Sequence, residues 1–341
     1  MLAPGLEAAF PERSGNGWHG GAGSVSTCAM NKKANASLTM GASDWAQLLL
    51  LGALWGASFF FARITIREIE PLTLVFYRVV IAAVALHLWL FLRGVSFRPA
   101  LSRAGPFMLL ALLNNIVPFS LIFLGQTAIG AGLAGILNAT TPFWAIIAAN
   151  VFTSDEKITP AKLAGIGLGI AGTAVMVGPG LFAGLGAPAW AQFCVLGAAF
   201  SYGLAAVLAR RFRDLPSDVV AAGQFTASTV VMAVLVGIGA SAVTTASPTS
   251  WMCVVALGLL STALAYILYF NLINSAGATN ASLVTLVVPV GAILLGALFL
   301  GETLDGYELA GIGLIGLGLL TIDGRILGLA RAREASCPRE R

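Results

Sequence analysis

The chain of 341 residues is 58% hydrophobic and 10% charged, and its mean hydropathy of +0.89 excludes an ordinary soluble domain. The net charge of +4 comes without a basic cluster on a soluble segment, which excludes a nucleic-acid-binding surface. The four cysteines are scattered, so they predict neither a metal site nor a disulfide framework. We therefore expect an all-α integral membrane protein.

In chain order, the sequence begins with a tail rich in Gly, Ser and Ala, residues 1–43, which we expect to be disordered and cytoplasmic. Apolar segments long enough to cross a membrane, which takes about 20 residues, follow it. They group into a first five-helix repeat at 44–178 and a second at 189–324, and residues 325–341 form a basic cytoplasmic C-terminal tail. The ten predicted transmembrane helices are 45–62, 72–92, 105–126, 131–152, 160–178, 189–209, 218–239, 251–272, 278–300 and 306–322.

Two short motifs are repeated almost unchanged. Residues 163–167 and 309–313 both read Leu-Ala-Gly-Ile-Gly, 146 positions apart, and Trp45-Ala46-Gln47 recurs as Trp190-Ala191-Gln192. These identities predict a tandem duplication. Because each copy holds five helices, an odd number, the second copy must lie inverted in the bilayer relative to the first. Inverted repeats are typical of transporters.

The basic residues predict the orientation, because Lys and Arg gather in cytoplasmic loops. With both termini in the cytoplasm, 16 of the 19 basic residues fall on the cytoplasmic side. Arg63 and Arg67 fall outside, and Arg78 lies inside a helix. The orientation requires an even number of helices, which ten satisfies.

Polar residues recur near the middle of matching helices in the two copies. At an offset of 147, Asn114-Asn115 falls opposite Ser261-Thr262, and Asn138 falls opposite Thr285. Polar groups are costly in a membrane unless they meet a neighbour, water or substrate. We therefore predict that Asn114, Asn138 and Thr285 line a substrate cavity.

Pro142 and Pro289 also occupy matching positions, and both are predicted to kink their helices because proline lacks a backbone donor. Bent helices at matching places indicate the binding site in many transporters. Asn138 and Thr141 share a helix face beside Pro142 and are predicted to line the cavity as well. The alternative is that these are packing kinks, with the polar side chains bonded to neighbouring backbones.

Several motifs together have a recognisable pattern over about residues 44–324. They are Trp55-Gly56, Phe76-Tyr77-Arg78, a proline followed by an acidic residue, Phe299-Leu300-Gly301-Glu302 and Leu309-Ala310-Gly311. This set resembles the EamA family of the drug/metabolite transporter superfamily. The resemblance implies ten helices in two inverted five-helix repeats, a central cavity that opens alternately to each side, and transport, often export, of amino acids or other small metabolites. The second copy departs from the pattern, because Phe200 replaces Trp55 and Gln224 stands roughly in the place of Arg78.

Arg78 lies well inside an apolar segment, where an arginine costs about 2.5–3.5 kcal/mol to insert and so faces a partner, water or a ligand. Its guanidinium could hold a substrate carboxylate or phosphate, and we predict that it lies in the cavity. The alternatives are snorkelling to the outer face or an ion pair with Glu68 or Glu70. His87 falls on the opposite side of the same helix and is interpreted as a packing or interfacial residue, with a proton relay as the alternative.

All fifteen acidic residues fall in tails, loops or helix ends, so the mid-membrane carboxylate of many proton-driven pumps is missing. Glu156 and Glu302 are expected to cap the helices that follow them. Among the aromatic residues, Trp55 and Tyr266 lie well inside their segments. Both are predicted to form cavity walls, with helix packing as the alternative.

The sequence therefore predicts a secondary transporter that moves small organic metabolites, such as amino acids, by alternating access, with export favoured. A non-transporting membrane scaffold or sensor is the alternative, and an intramembrane enzyme is least favoured because no Ser–His arrangement, buried carboxylate pair or metal-ligand cluster is present. No catalytic residue, metal or cofactor is predicted. The expected partners are the metabolite and the lipid bilayer, without nucleic acid, and a monomer or a homodimer would both fit. The predicted location is the bacterial inner membrane.

Overall fold

The computed structural model describes residues 40–153, 158–182, 188–239, 246–276, 281 and 283–323, and no strand occurs in these ranges. The predicted N-terminal tail up to residue 39, Glu156 and the C-terminal tail lie outside them. Ten long helices make up most of the described chain. They are α1 (Ala42–Thr65), α2 (Pro71–Leu92), α3 (Ala104–Gln126), α4 (Ala131–Phe152), α5 (Pro160–Phe182), α6 (Ala189–Ala209), α7 (Ser217–Gly239), α8 (three continuous segments, Pro248–Gly258, Leu259–Leu264 and Ala265–Ala276), α9 (Val284–Leu300) and α10 (Gly306–Asp323).

Seven of these helices, α1 to α4 and α6 to α8, are long and apolar enough to cross a membrane. The described parts of α5, α9 and α10 contain shorter apolar stretches, Pro160–Met176, Val284–Leu300 and Gly306–Ile322. Each predicted segment coincides with one helix, except that the start of the ninth lies outside the described residues. The chain is thus an all-helical, multi-pass membrane protein, and the count of ten membrane crossings stays a prediction.

Large apolar side chains cover the outside of the helix bundle. Phe91, Met252 and Leu298 are 80%, 73% and 75% exposed. In water, large apolar patches mark interaction or aggregation surfaces. Lipid tails are as apolar as these side chains, so a bilayer removes the cost of exposing them. The exposure pattern therefore fits helices that face lipid.

The repeated Leu-Ala-Gly-Ile-Gly motif forms a close contact between the last helices of the two copies. A Cβ atom on Gly165 of α5 would lie 2.7 Å from the carbonyl oxygen of Gly318 in α10, and one on Gly172 would lie 2.8 Å from that of Gly311. An offset of 146 converts each contact into the other. The residue order also shows that α5 and α10 run antiparallel, as inverted repeats require. Glycine is needed here because any side chain would separate the two backbones.

A second pair of equivalent contacts involves the first helix of each copy. A Cβ atom on Gly56 of α1 would lie 2.9 Å from the backbone of Gly291 and Ala292 in α9. One on Gly203 of α6 would lie 2.7 Å from the carbonyl carbon of Trp144 and 2.8 Å from the nitrogen of Ala145 in α4. These contacts are related by an offset of 147. In both contacts, therefore, the first helix of one copy packs against the fourth helix of the other copy.

The two matching prolines differ in their surroundings. α4 is interrupted at Ala139 and Thr140 and resumes at Thr141, with Pro142 in the first turn of its second part. Pro289 lies inside the continuous helix α9. A proline in a first turn lacks only a donor that has no partner there, whereas an interior proline removes a helix hydrogen bond. The interruption is thus present beside Pro142, while the kink at Pro289 stays a prediction.

Candidate functional site

Each copy carries one segment of π-helix at the same position, a feature that the hydrophobic pattern does not indicate. The segment is Leu112–Ile116 in α3 and Leu259–Leu264 in α8, starting 147 residues later. Single π turns insert an extra residue into an α-helix and are frequent at functional sites. The two segments contain Asn114-Asn115 and Ser261-Thr262, and all four except Asn114 are buried.

Arg78 of α2 reaches the π turn of α8 across the two copies. The residue is only 5% exposed, and its Nε donates a hydrogen bond to Oγ1 of Thr262 at 3.0 Å. The guanidinium carbon lies 3.7 Å from the ring centroid of Phe119 and 5.7 Å from that of Phe123, which are cation–π contacts. Arg78 is therefore held inside the bundle and does not snorkel to the surface.

The alternative of an ion pair between Arg78 and Glu68 or Glu70 is not what the structure contains. Among the described residues, no carboxylate oxygen lies within 4.0 Å of the Arg78 guanidinium. Glu68 instead accepts hydrogen bonds from the backbone N and from Oγ of Ser247, at 2.7 and 3.0 Å. The backbone bond from Ser247 is the main reason why the pKa of the Glu68 carboxyl lies below its usual value. Arg78 thus has no counter-ion in the described part of the chain.

Aromatic rings form equivalent T-shaped pairs beside Arg78. The centroids of Trp55 and Tyr266 are 6.3 Å apart at an interplanar angle of 69°, and those of Tyr202 and Phe119 are 6.5 Å apart at 65°. An offset of 147 converts one pair into the other. The residue equivalent to Trp55 is therefore Tyr202, and the expectation that Phe200 takes this place is wrong. Phe200 is 44% exposed on the other side of α6.

One tyrosine from each copy lies near the arginine. Tyr202 and Arg78 both contact the ring of Phe119, and Tyr266 follows Thr262, the hydrogen-bond partner of Arg78, by four residues in α8. Trp55 additionally packs against Tyr269, with centroids 5.3 Å apart. Three predicted site residues, Trp55, Arg78 and Tyr266, are thus linked through shared neighbours, and Tyr202 was missed.

Amide side chains join the aromatic group to α7. Nδ2 of Asn114 donates to Oε1 of Gln224 at 2.8 Å and lies 3.1 Å from the hydroxyl of Tyr266. Next to it, Nδ2 of Asn115 donates to Oγ of Ser228 at 2.9 Å, while Oδ1 of Asn115 is buried without a hydrogen-bond partner. The Arg78 cluster, which we define as Trp55, Arg78, Asn114, Phe119, Tyr202, Gln224, Thr262 and Tyr266, therefore draws on α1, α2, α3, α6, α7 and α8.

Three other predicted cavity residues lie around the interruption of α4 and the start of α9. Oγ1 of Thr141 donates to the carbonyl of Asn138 at 2.7 Å, and Oδ1 of Asn138 is buried without a partner. Thr285 is half-buried in the first turn of α9. No hydrogen bond joins Asn138 or Thr141 to the Arg78 cluster within the described chain. Their role in a cavity stays a prediction.

A polar cavity of about 300 Å³ lies at the end of the bundle where α1 ends. Beside it, the Glu302 carboxylate accepts hydrogen bonds from the backbone nitrogens of Ala131 and Gly132 at 2.8 and 3.1 Å. Glu302 therefore caps α4. The expectation that it caps the following helix, α10, is wrong. Gly301, at φ 65°, makes the sharp turn that brings it there. Nε of Arg63 lies 3.9 Å from Oε1 of Glu302, and a terminal nitrogen of Arg63 donates a hydrogen bond to the carbonyl of Gln126.

The described residues contain no group of three or more His, Cys, Asp or Glu residues able to hold a metal ion. Nδ1 of His87 lies 3.0 Å from the carbonyl of Ala83, and its ring is 4.6 Å from that of Phe97. These contacts fit the interpretation of His87 as a packing residue.

Comparisons with known proteins agree with the architecture of two copies. The model of the EamA-like transporter family matches residues 45–178 and again 189–322. The chain belongs to the EamA-like transporter family. It is accordingly a membrane transporter, as the resemblance of its motifs implied.

Curated relatives of this EamA-like chain carry transporter names. A Bacillus subtilis (strain 168) protein named "Uncharacterized transporter YoaV" is 26% identical over 70% of this chain and 82% of its own length. An Escherichia coli (strain K12) protein named "Uncharacterized inner membrane transporter YedA" is 26% identical over 73% of this chain and 80% of its own length. A crystal structure with 20% identity matches 82% of this chain and 96% of its own, with a TM-score of 0.60, which shows the fold alone.

Proposed function

We propose that this EamA-like transporter moves small organic metabolites that carry a carboxylate, amino acids among them, and that the Arg78 cluster binds them. The observation that carries the proposal is the buried guanidinium of Arg78 without a carboxylate partner in the described residues. A buried charge is costly unless it is paired. A substrate carboxylate would supply the missing charge in a geometry that suits the guanidinium, and the rings of Trp55 and Tyr202 would pack against the rest of the solute.

The proposed mechanism is alternating access between the two copies, at 44–178 and 189–324. The antiparallel contact of α5 with α10 supports it, since inverted repeats allow one bundle to rock against the other around a fixed site. The position of 16 of the 19 basic residues supports ten crossings with both termini in the cytoplasm. The inner membrane of a bacterium is the proposed location, and export is the proposed direction.

Flux through the purified full-length chain tests this function. Proteoliposomes are loaded with a mixture of amino acids and small organic acids, and the solutes that leave are measured against protein-free liposomes. We expect one class of carboxylates to leave faster, while the corresponding amides do not. A folded, inserted protein that moves no solute from the mixture would contradict the proposal and favour a scaffold or sensor. Loading the mixture outside instead of inside measures the direction.

A further inference from the structure

The hydroxyl of Thr262 is shared between the π turn of α8 and the arginine. It lies 2.7 Å from the carbonyl oxygen of Leu257 and 3.0 Å from Nε of Arg78, and Thr262 is fully buried. Arginine has only donors, so the hydroxyl must accept from Arg78. The hydroxyl of Thr262 then donates its single proton to the carbonyl oxygen of Leu257. Both bonds are satisfied at once, and the position of the hydroxyl oxygen is fixed from two sides.

The π turn makes this arrangement available. In an ordinary helix a threonine hydroxyl bonds to the carbonyl three or four residues earlier, as Thr226 does with Ala222 at 2.7 Å. Thr262 instead bonds five residues back, in the register of the Leu259–Leu264 π segment. The position equivalent to Thr262 in the first copy is Asn115, which donates to Ser228. At this pair of equivalent positions, it is therefore Thr262 of the second copy that accepts a hydrogen bond from a cation.

Among the described residues, the hydrogen bond of Arg78 uses only one of its three guanidinium nitrogens, which leaves one edge of the group available. Nε is used by Thr262, and one face lies against Phe119. The remaining edge holds the two terminal nitrogens, whose parallel N–H groups match the two oxygens of a carboxylate. The single positive charge also matches a monoanion, whereas a phosphate dianion would leave a negative charge uncompensated in an apolar bundle.

We propose that Thr262 is a positioning residue that orients Arg78, so that its two terminal nitrogens bind one planar carboxylate of the substrate end-on. The proposal rests on the proposed function of the Arg78 cluster and goes further by naming what directs the arginine. Thr262 acts through Arg78 and not by touching the substrate. Its loss should therefore reduce the preference for an anion while leaving the binding of a neutral analogue unchanged.

Binding of labelled benzoate to the full-length chain in lipid nanodiscs tests this role, with benzamide as the neutral analogue. We expect Thr262→Val, which removes the hydroxyl but keeps the shape, to raise the Kd for benzoate about tenfold. Thr262→Ser, which keeps the hydroxyl, should stay within about twofold of the unaltered chain. Thr226→Val is the matched control, because its hydroxyl bonds only to its own helix, and it should change neither Kd. Thr262→Ala replaces the valine variant if size-exclusion chromatography shows that the latter is misfolded.

The outcomes separate this inference from the proposed function. If Arg78→Gln abolishes benzoate binding but Thr262→Val does not weaken it, the positioning role is overturned and the carboxylate site stands. If the unaltered chain binds no benzoate, or if Arg78→Gln binds it normally, both are overturned. Phenyl phosphate should bind more weakly than benzoate, and tighter binding would overturn the assignment to a carboxylate. The inference is supported if the affinity for benzoate relative to benzamide falls in Thr262→Val but not in Thr262→Ser or Thr226→Val.

Discussion

Two glycines of the repeated motif, Gly165 and Gly167, should respond to alanine with opposite changes in the stability of the protein. A Cβ atom on Gly165 would lie 2.7 Å from the carbonyl oxygen of Gly318, whereas one on Gly167 would meet no atom within 4 Å. Overpacking of this kind costs about 1–3 kcal/mol, while alanine favours a helix over glycine by roughly 0.5–1 kcal/mol. Both variants gain the helix preference of alanine, so only the overpacking cost separates them, and we expect Gly165→Ala to be about 1–3 kcal/mol less stable than Gly167→Ala.

The assay is thermal unfolding in detergent at a single heating rate, because membrane proteins often unfold irreversibly. Gly165→Ala should lower the apparent Tm, and Gly167→Ala should leave it unchanged or raise it. The second copy supplies an internal replicate, since Gly311 faces the carbonyl of Gly172 while Gly313 meets no atom within 4 Å. Equal Tm values for the two alanine variants of a pair would refute the close contact of α5 with α10.

Three further substitutions test contacts elsewhere in the bundle. Glu302→Ala should destabilise the protein by about 0.5–2 kcal/mol, because α4 loses its N-terminal cap; an unchanged Tm would argue against the cap. The hydrogen bond from Arg103 holds the pKa of the Asp214 carboxyl below its usual value, so this pair stabilises the protein above about pH 4 and ceases to do so as the pH falls through the lowered pKa. The Tm difference between the unaltered chain and Asp214→Asn should accordingly vanish in strong acid, and a pH-independent difference would contradict this. Tyr266→Phe should weaken carboxylate binding severalfold in the nanodisc assay, at about 0.5–1.5 kcal/mol for the lost hydrogen bond to Asn114, and equal Kd values would place that bond outside the site.

The duplication and the helices were predictable, because hydrophobic length and repeated motifs are local signals. The residue equivalent to Trp55 was predicted wrongly as Phe200, and the error has a simple cause. The identities at the start of the first helix, such as Trp45 with Trp190, have an offset of 145, whereas the packing of Gly56 and Gly203 has an offset of 147. The starts of the two helices, Ala42 and Ala189, are also 147 residues apart, so the identical residues are not the structurally equivalent ones. Tyr202 is thus identified by its contacts and not by alignment of the identical residues.

The π turns also escaped prediction from hydrophobic periodicity, which does not distinguish four-residue from five-residue bonding over a single turn. A signal does exist in hindsight. Adjacent polar residues in a spanning helix, as in Asn114-Asn115 and Ser261-Thr262, point in directions about 100° apart, and in both copies they lie within a π segment. An adjacent polar pair at the same position in both copies is the sequence feature to look for. The cap by Glu302 was missed because it depends on the turn at Gly301 and on the distant start of α4.

The flux of carboxylates through Arg78→Gln proteoliposomes tests the central claim most directly. Arg67→Gln is the matched control, since Arg67 is an exposed arginine in the loop between α1 and α2. A charged hydrogen bond contributes about 1.5–3 kcal/mol, so the account predicts a loss of about 10- to 100-fold in carboxylate flux for Arg78→Gln and normal flux for Arg67→Gln. Normal carboxylate flux through a folded Arg78→Gln protein would contradict it.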